Sequence, residues 1–228
     1  ERIWALFKFV SQEARYMGIT KEAESPGYEP HDVMDTFEAR HGVCRDKAAL
    51  LVAMLRLAGL DAYPTLIHNG AKLDSEVPQP YFNHAIVAVK KEDGEIVLMD
   101  PTDETTTELL PAYLSDKSYL IASPGGEPLR TSPIVPASEN MMMISTEGRV
   151  DAAGSLSAET VLEFRGANDN AYRGLLAMRK PEERRQFFEG LAKSMAPGAS
   201  VSRLSMVPDD MTDTSTSLTV RIAFSAPD

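Results

Sequence analysis

The sequence predicts an α+β fold: a buried helix packed on an antiparallel sheet, then a smaller, β-rich α+β domain. Three observations carry this. Residues 48–55 are apolar nearly all round, which marks a central helix. Two short apolar runs, 84–89 and 95–99, flank Lys91-Glu92-Asp93-Gly94 in the manner of a hairpin. Beyond residue 133, alternating stretches at 156–164 and 218–224 bracket a helical one.

The totals bound the rest. The 228 residues suit one or two domains, long enough to bury a core without disulfides or metal. With 43% apolar and 25% charged residues, the balance is that of an ordinary globular protein. The net charge of −11 argues against nucleic acid or anionic lipid as a partner. The longest apolar run, 48–55, is too short to cross a membrane, so no membrane insertion is expected. Cys44 is the only cysteine, which excludes an intrachain disulfide and every CxxC metal site. No HExxH, Walker or GxGxxG pattern occurs, so neither metal nor organic cofactor is expected. The chain starts at Glu1 without Met or leader and reads as an excised or mature fragment, so the missing leader says nothing of the native protein.

The elements follow in order. Ile3, Leu6, Phe7, Val10 and Ala14 form one apolar stripe of a helix over 2–17, with Gly18 as its stop. Residues 18–30 read as a loop turning at Ser25-Pro26-Gly27. Pro30-His31-Asp32 opens a short helix to Arg40, with Val33, Met34 and Phe37 inward. The central helix runs from Cys44 to Ala58 and stops at Gly59. Strands are expected over 62–67, 84–89 and 95–99, with a polar loop at 69–80. Ser123 to Pro128, with Pro133 and Pro136, reads as a linker, giving domains 1–132 and 133–228. In the second domain a strand at 156–164 precedes helical 171–195, restarted at Pro181, and a strand near 218–224. Met141-Met142-Met143 reads as part of a buried strand.

The chemistry centres on Cys44. It follows a helix-breaking Gly42 and opens the buried helix, where unpaired N–H groups and the positive helix end stabilise a thiolate. A lone cysteine is by itself most often packing. Here Gly42-Val43-Cys44-Arg45-Asp46-Lys47-Ala48 is followed by Phe82-Asn83-His84 entering one strand and Asp100-Pro101-Thr102 ending the next. In this order of Cys, His and Asp the chain resembles the transglutaminase-like superfamily. Arg15-Tyr16, Gly27-Tyr28-Glu29-Pro30 and Asp46-Lys47-Ala48 resemble its bacterial branch, in which the core is flanked by β-rich domains. The resemblance covers residues 7–121 and departs from the branch at Val43, where an acidic residue is frequent.

The resemblance implies a papain-like transglutaminase core and a Cys44–His84–Asp100 triad. His84 would pair with the thiolate and Asp100 would hold the imidazole. It implies a peptide or protein amide as substrate, attacked through an acyl-thioenzyme by a cysteine protease, amidase or transglutaminase-like enzyme. It also implies a periplasmic or cell-surface location. For the oxyanion the backbone N–H of Cys44 is one donor, with Tyr16 and Gln12 as candidates for the second and Asn83 for orienting the ring. His31, His41 and His68 read as structural or surface residues. The contrasting class is a non-catalytic binding or scaffold module that keeps the triad, with Cys44 sealed by the 69–80 loop or by the second domain.

Pleating supplies a check. A tight two-residue turn at Asp93-Gly94 would set Asp100 opposite Val87, on the other face from His84, and make Asp103 the rival acid. For His84 and Asp100 to share a face, the loop needs three or five residues centred near Glu92, or a bulge.

Overall fold

The computed structural model describes residues 1–17, 27–77 and 79–227. The expected stop at Gly18 and most of the 18–30 loop lie outside the described residues. The chain divides into two compact units, Glu1–Glu104 with Glu108–Val135 and Thr105–Thr107 with Pro136–Asp228. The division falls a little beyond 132/133.

In the first unit the order is α1 (Arg2–Glu13), β1 (Arg15–Tyr16), α2 (Val33–Ala39), β2 (His41–Gly42), α3 (Cys44–Leu57), β3 (Asp61–Ile67), β4 (His84–Lys90), β5 (Ile96–Met99), β6 (Ser118–Ile121) and β7 (Arg130–Thr131). The last five strands form one antiparallel sheet in the order β5-β4-β3-β6-β7. Leu51 and Leu55 of α3, with Phe7 and Val10 of α1, pack on Ala85, Val87 and Val89 of β4. The alternate residues Ile86 and Ala88 join Ile67, Leu98, Leu114 and Ile121 in a second apolar cluster. A strand buried on both faces reads as a continuous apolar run, as β4 does.

The differences from the sequence reading have physical causes. The first helix ends at Glu13, not 17, because Ala14 is extended (φ −109°, ψ 111°) and the chain turns into β1. Met34 is exposed, because the inward stripe of α2 runs through Val33, Thr36 and Phe37 at helical spacing. The Ser123–Pro128 stretch is the loop joining β6 to β7, not a linker between units, and its Glu127 pairs with Lys90 and Arg130.

The second unit holds β8 (Met142–Val150), β9 (Leu156–Phe164), α4 (Ala167–Ala177), α5 (Pro181–Met195), β10 (Ser200–Val207) and β11 (Thr219–Ala226), with an antiparallel sheet ordered β10-β11-β9-β8. Leu162, Phe164, Val220, Ile222 and Phe224 share a core with Leu176 of α4 and Phe188 and Ala192 of α5. The Met-rich strand is real, but as the sheet edge it is exposed along its whole length rather than buried. Arg173 and Asp169 are fully buried and paired at 2.7 Å. Arg173 also donates to the carbonyls of Met211, Asp213 and Thr216, while Asp169 accepts from the Leu218 N–H. This pair therefore holds the turn-rich segment before β11 against α4.

Removing one partner of such a pair leaves a buried charge uncompensated. Arg173→Met is expected to lower the unfolding free energy by about 3–5 kcal/mol, read from urea unfolding followed by circular dichroism.

Candidate active site

Cys44 is the first residue of α3 and is half-buried. Its position is set by two neighbours in the same helical turn. Asp46 is fully buried and accepts from the backbone N–H of Val43 at 3.0 Å, capping α3. Its other oxygen accepts from the backbone N–H of His31 and lies 3.0 Å from His31 Nδ1. Gly42 must be glycine here, because a Cβ would meet Asp46 Cβ at 2.7 Å. Lys47, also buried, donates through Nζ to the carbonyls of Ser11 and Ala14 at the end of α1. An ammonium there satisfies carbonyls that the helix leaves unpaired. Burial lowers the Lys47 pKa to about 8 against the attraction of Glu104, Asp100 and Asp103.

With α1 ended in this way, β1 lies parallel to β2, pairing Arg15 with His41 and Tyr16 with Gly42. Arg15 N–H donates to Arg40 O at 2.8 Å and Met17 N–H to Gly42 O at 3.2 Å. The pairing carries Tyr16 to Cys44, where its hydroxyl is within hydrogen-bond reach of both the Cys44 side chain and its backbone. Partial burial, then the negative charge of Cys44, raises the Tyr16 pKa and keeps the phenol protonated as a donor.

His84 and Asp100 meet across the hairpin. Lys91 N–H donates to Glu95 O and Val87 pairs with Met99, so the loop is Glu92-Asp93-Gly94, of three residues. Gly94 takes the left-handed conformation this loop type requires (φ +86°). The loop has the odd length a shared face needs, centred on Asp93 rather than Glu92. His84 Nε2 lies 2.8 Å from Asp100 Oδ2, which leaves Nδ1 as the ring nitrogen for the Cys44 thiol. Asp103 is thereby displaced as the rival acid.

Asp100 is fully buried and every lone pair has work. Oδ2 also accepts from the Tyr113 hydroxyl at 3.1 Å, and Oδ1 accepts from Thr102 N–H at 3.0 Å and Thr102 Oγ1 at 2.6 Å. Burial pushes its pKa up, but these donors, His84 first, outweigh that and hold it below the usual carboxylate range. Burial beside the same carboxylate pushes the Tyr113 pKa up. Burial also opposes the charged imidazole, yet hydrogen bonds to Asp100 and Cys44 raise the His84 pKa to about 10. For Cys44, burial raises the pKa, while the His84 hydrogen bond and the N–H groups of Ala85 and Arg45 bring it below the ordinary thiol value. Both shifts favour the thiolate–imidazolium form of the pair.

The remaining predicted residues have other partners. Gln12 donates through Nε2 to the Glu104 carbonyl at 3.4 Å. Asn83 accepts from Asn69 N–H at 2.8 Å and donates to Asn69 O at 3.3 Å, so its amide pins the 69–80 loop to the start of β4 instead of orienting the ring. His41 Nδ1 bonds to the Ala39 carbonyl at 2.9 Å. Sequence reasoning missed the Asp46–His31 contact and the roles of Lys47, Thr102 and Tyr113. The Asp46-Lys47 dipeptide inside an apolar helix was the available signal for the first two. Among the described residues no cluster of His, Cys, Asp and Glu is arranged to hold a metal, and no helix is long and apolar enough to cross a membrane.

The family model of the transglutaminase-like superfamily matches residues 1–101. No curated protein matches the chain significantly. A solved structure described as a "putative protease" from Parabacteroides distasonis aligns over 99% of this chain and 45% of its own, at 11% identity and a TM-score of 0.44. A likeness at that level defines neither fold nor activity.

The ring's charge depends on Asp100. Asp100→Asn removes the acid that favours the imidazolium, so the His84 pKa falls from about 10. The Cys44 pKa is then expected to rise towards the free-thiol value of about 8.5. Thiolate absorbance near 240 nm against pH reads both changes.

Proposed function

We propose that this chain, whose residues 1–101 match the transglutaminase-like family model, is a cysteine-dependent amide hydrolase that works through a Cys44 acyl-thioester. The observation that carries the reading is the unbroken hydrogen-bonded line from the Cys44 thiol through His84 to the buried Asp100.

Each group has a step. The Cys44 thiolate attacks the substrate carbonyl, and the resulting oxyanion is met by the backbone N–H of Cys44, at the first helical position, and by the Tyr16 hydroxyl. The His84 imidazolium gives its proton to the departing amine, leaving the acyl group on sulfur. Neutral His84 then takes a proton from water, which attacks the thioester and releases the acid. Asp100, fixed by Thr102 and Tyr113, holds Nε2–H of the ring and stabilises its positive charge. An amine in place of water would give transamidation through the same thioester.

The pH dependence of Cys44 alkylation by iodoacetamide tests the pair, and the single thiol makes the signal unambiguous. In the wild type, alkylation is expected to persist well below pH 8.5, because the thiolate survives until pH falls through the lowered Cys44 pKa. In His84→Ala it is expected to follow an ordinary thiol. Identical profiles for both proteins would defeat the enzyme reading and favour the scaffold one.

Tyr16→Phe separates binding from catalysis. With a peptide amide substrate, kcat is expected to fall by about 10²–10³ with little change in KM, as for loss of one oxyanion donor. Added hydroxylamine or a primary amine reports the acceptor: mass spectrometry would show the modified acyl product if amines compete with water.

A further inference from the structure

The first unit contains a cavity of about 660 Å³ whose walls include Tyr28, Leu66, Leu73, Phe82, Leu120 and Leu129. That volume lies within the usual range for a ligand site, about 300–1,000 Å³. Its lining is mostly apolar, with Asp74, Ser75 and Gln79 as polar members beside Glu127. The carboxylate of Glu127 at its rim is already paired with Lys90 and Arg130, so it offers no free charge to a ligand.

The cavity is tied to both sides of the triad. Phe82 precedes His84 by two residues, a reach of at most about 7 Å along the chain. The Tyr28 hydroxyl lies 2.9 Å from the carbonyl oxygens of both Pro80 and Phe82, which it serves as a shared donor. The carbonyl of Gly27, next to Tyr28, accepts from Arg45, the residue after Cys44. The walls therefore join the strand start that carries His84 to the helix start that carries Cys44.

We propose that this cavity is the specificity subsite of the enzyme, taking a large apolar side chain, aromatic or branched aliphatic, from a residue beside the amide that Cys44 attacks. The proposal rests on the amide-acyl reading above. A peptide bound there seats one side chain among the leucines and Phe82, and the burial of that side chain places the neighbouring carbonyl at the thiolate. Binding energy gained away from the reacting bond is thereby used for orientation. An acidic side chain is disfavoured by the apolar walls and by the carboxylate of Asp74 in the same lining.

The test uses acetyl-Xaa-Gly and acetyl-Gly-Xaa vinyl sulfones, with Xaa as Phe, Leu, Gly or Asp, and measures second-order inactivation of Cys44. Iodoacetamide serves as a side-chain-free control. In the wild type, at one of the two positions, Phe and Leu are expected to react about 10–200-fold faster than Gly or Asp, the discrimination an apolar pocket supplies. Leu73→Trp and Leu129→Trp, which fill the cavity from different walls, are expected to abolish that preference while the iodoacetamide profile stays as in the wild type. Equal rates for all probes, or a preference that both variants keep, overturn the subsite and leave the thioester mechanism standing. A wild-type thiol inert to iodoacetamide below pH 8 overturns both. If one variant fails to fold, the other decides.

Discussion

The architecture around Cys44 depends on two adjacent buried charges, Asp46 and Lys47, which gather separate stretches of chain onto the first turns of α3. Neither group is tolerable inside an apolar core unless its hydrogen bonds are made. Asp46 meets that demand with Val43 and His31, and Lys47 with the carbonyls that end α1. Satisfying these charges fixes where α1 stops and which backbone faces the thiol. The polar residues here act as organisers of the fold as much as contributors to its stability.

A second layer of organisation comes from the sheet. Ala85 N–H and Arg45 N–H both point at the thiol, one from the strand that carries His84 and one from the helix that carries Cys44 itself. Two rigid elements thus meet at one sulfur atom. Burial alone would raise the thiol pKa and destroy its nucleophilicity, and the convergence of donors reverses that effect. The same competition recurs at His84 and Asp100, where burial opposes charge and hydrogen bonds overcome it. The dry surroundings then strengthen each of these bonds.

Much of this was legible in the sequence. The buried helix, the hairpin, the strand at 156–164 and the pair of helices split at Pro181 all follow from periodicity and punctuation. The near approach of His84 to Asp100 follows from pleating once a three-residue loop is allowed. What stayed hidden had no local signature. β1 and β2 are two residues each and exist only because they pair. β7 is equally short, β8 is exposed along its whole length, and in β10 a bulge between Val201 and Arg203 puts the apolar positions Val201, Leu204 and Met206 out of simple alternation. Thr102 reaches Asp100 from a turn and Tyr113 from a single turn of 3-10 helix, Ala112–Leu114, where spacing carries no information. Asn83 looked suited to the ring because it is adjacent in sequence, but a strand turns successive side chains to opposite sides.

The three-residue loop between β4 and β5 has a further consequence. Hairpin tips are ordinarily where chains accept inserted and deleted residues most readily. Here an inserted residue leaves the triad intact only if the loop absorbs it and Lys91 still closes on Glu95. If the hairpin instead keeps a three-residue loop and the pairing slips by one, every β5 side chain turns to the reverse of the sheet and the acid leaves its imidazole. The triad thus depends on the closing pair of a surface hairpin, and the number of residues beyond that pair is secondary.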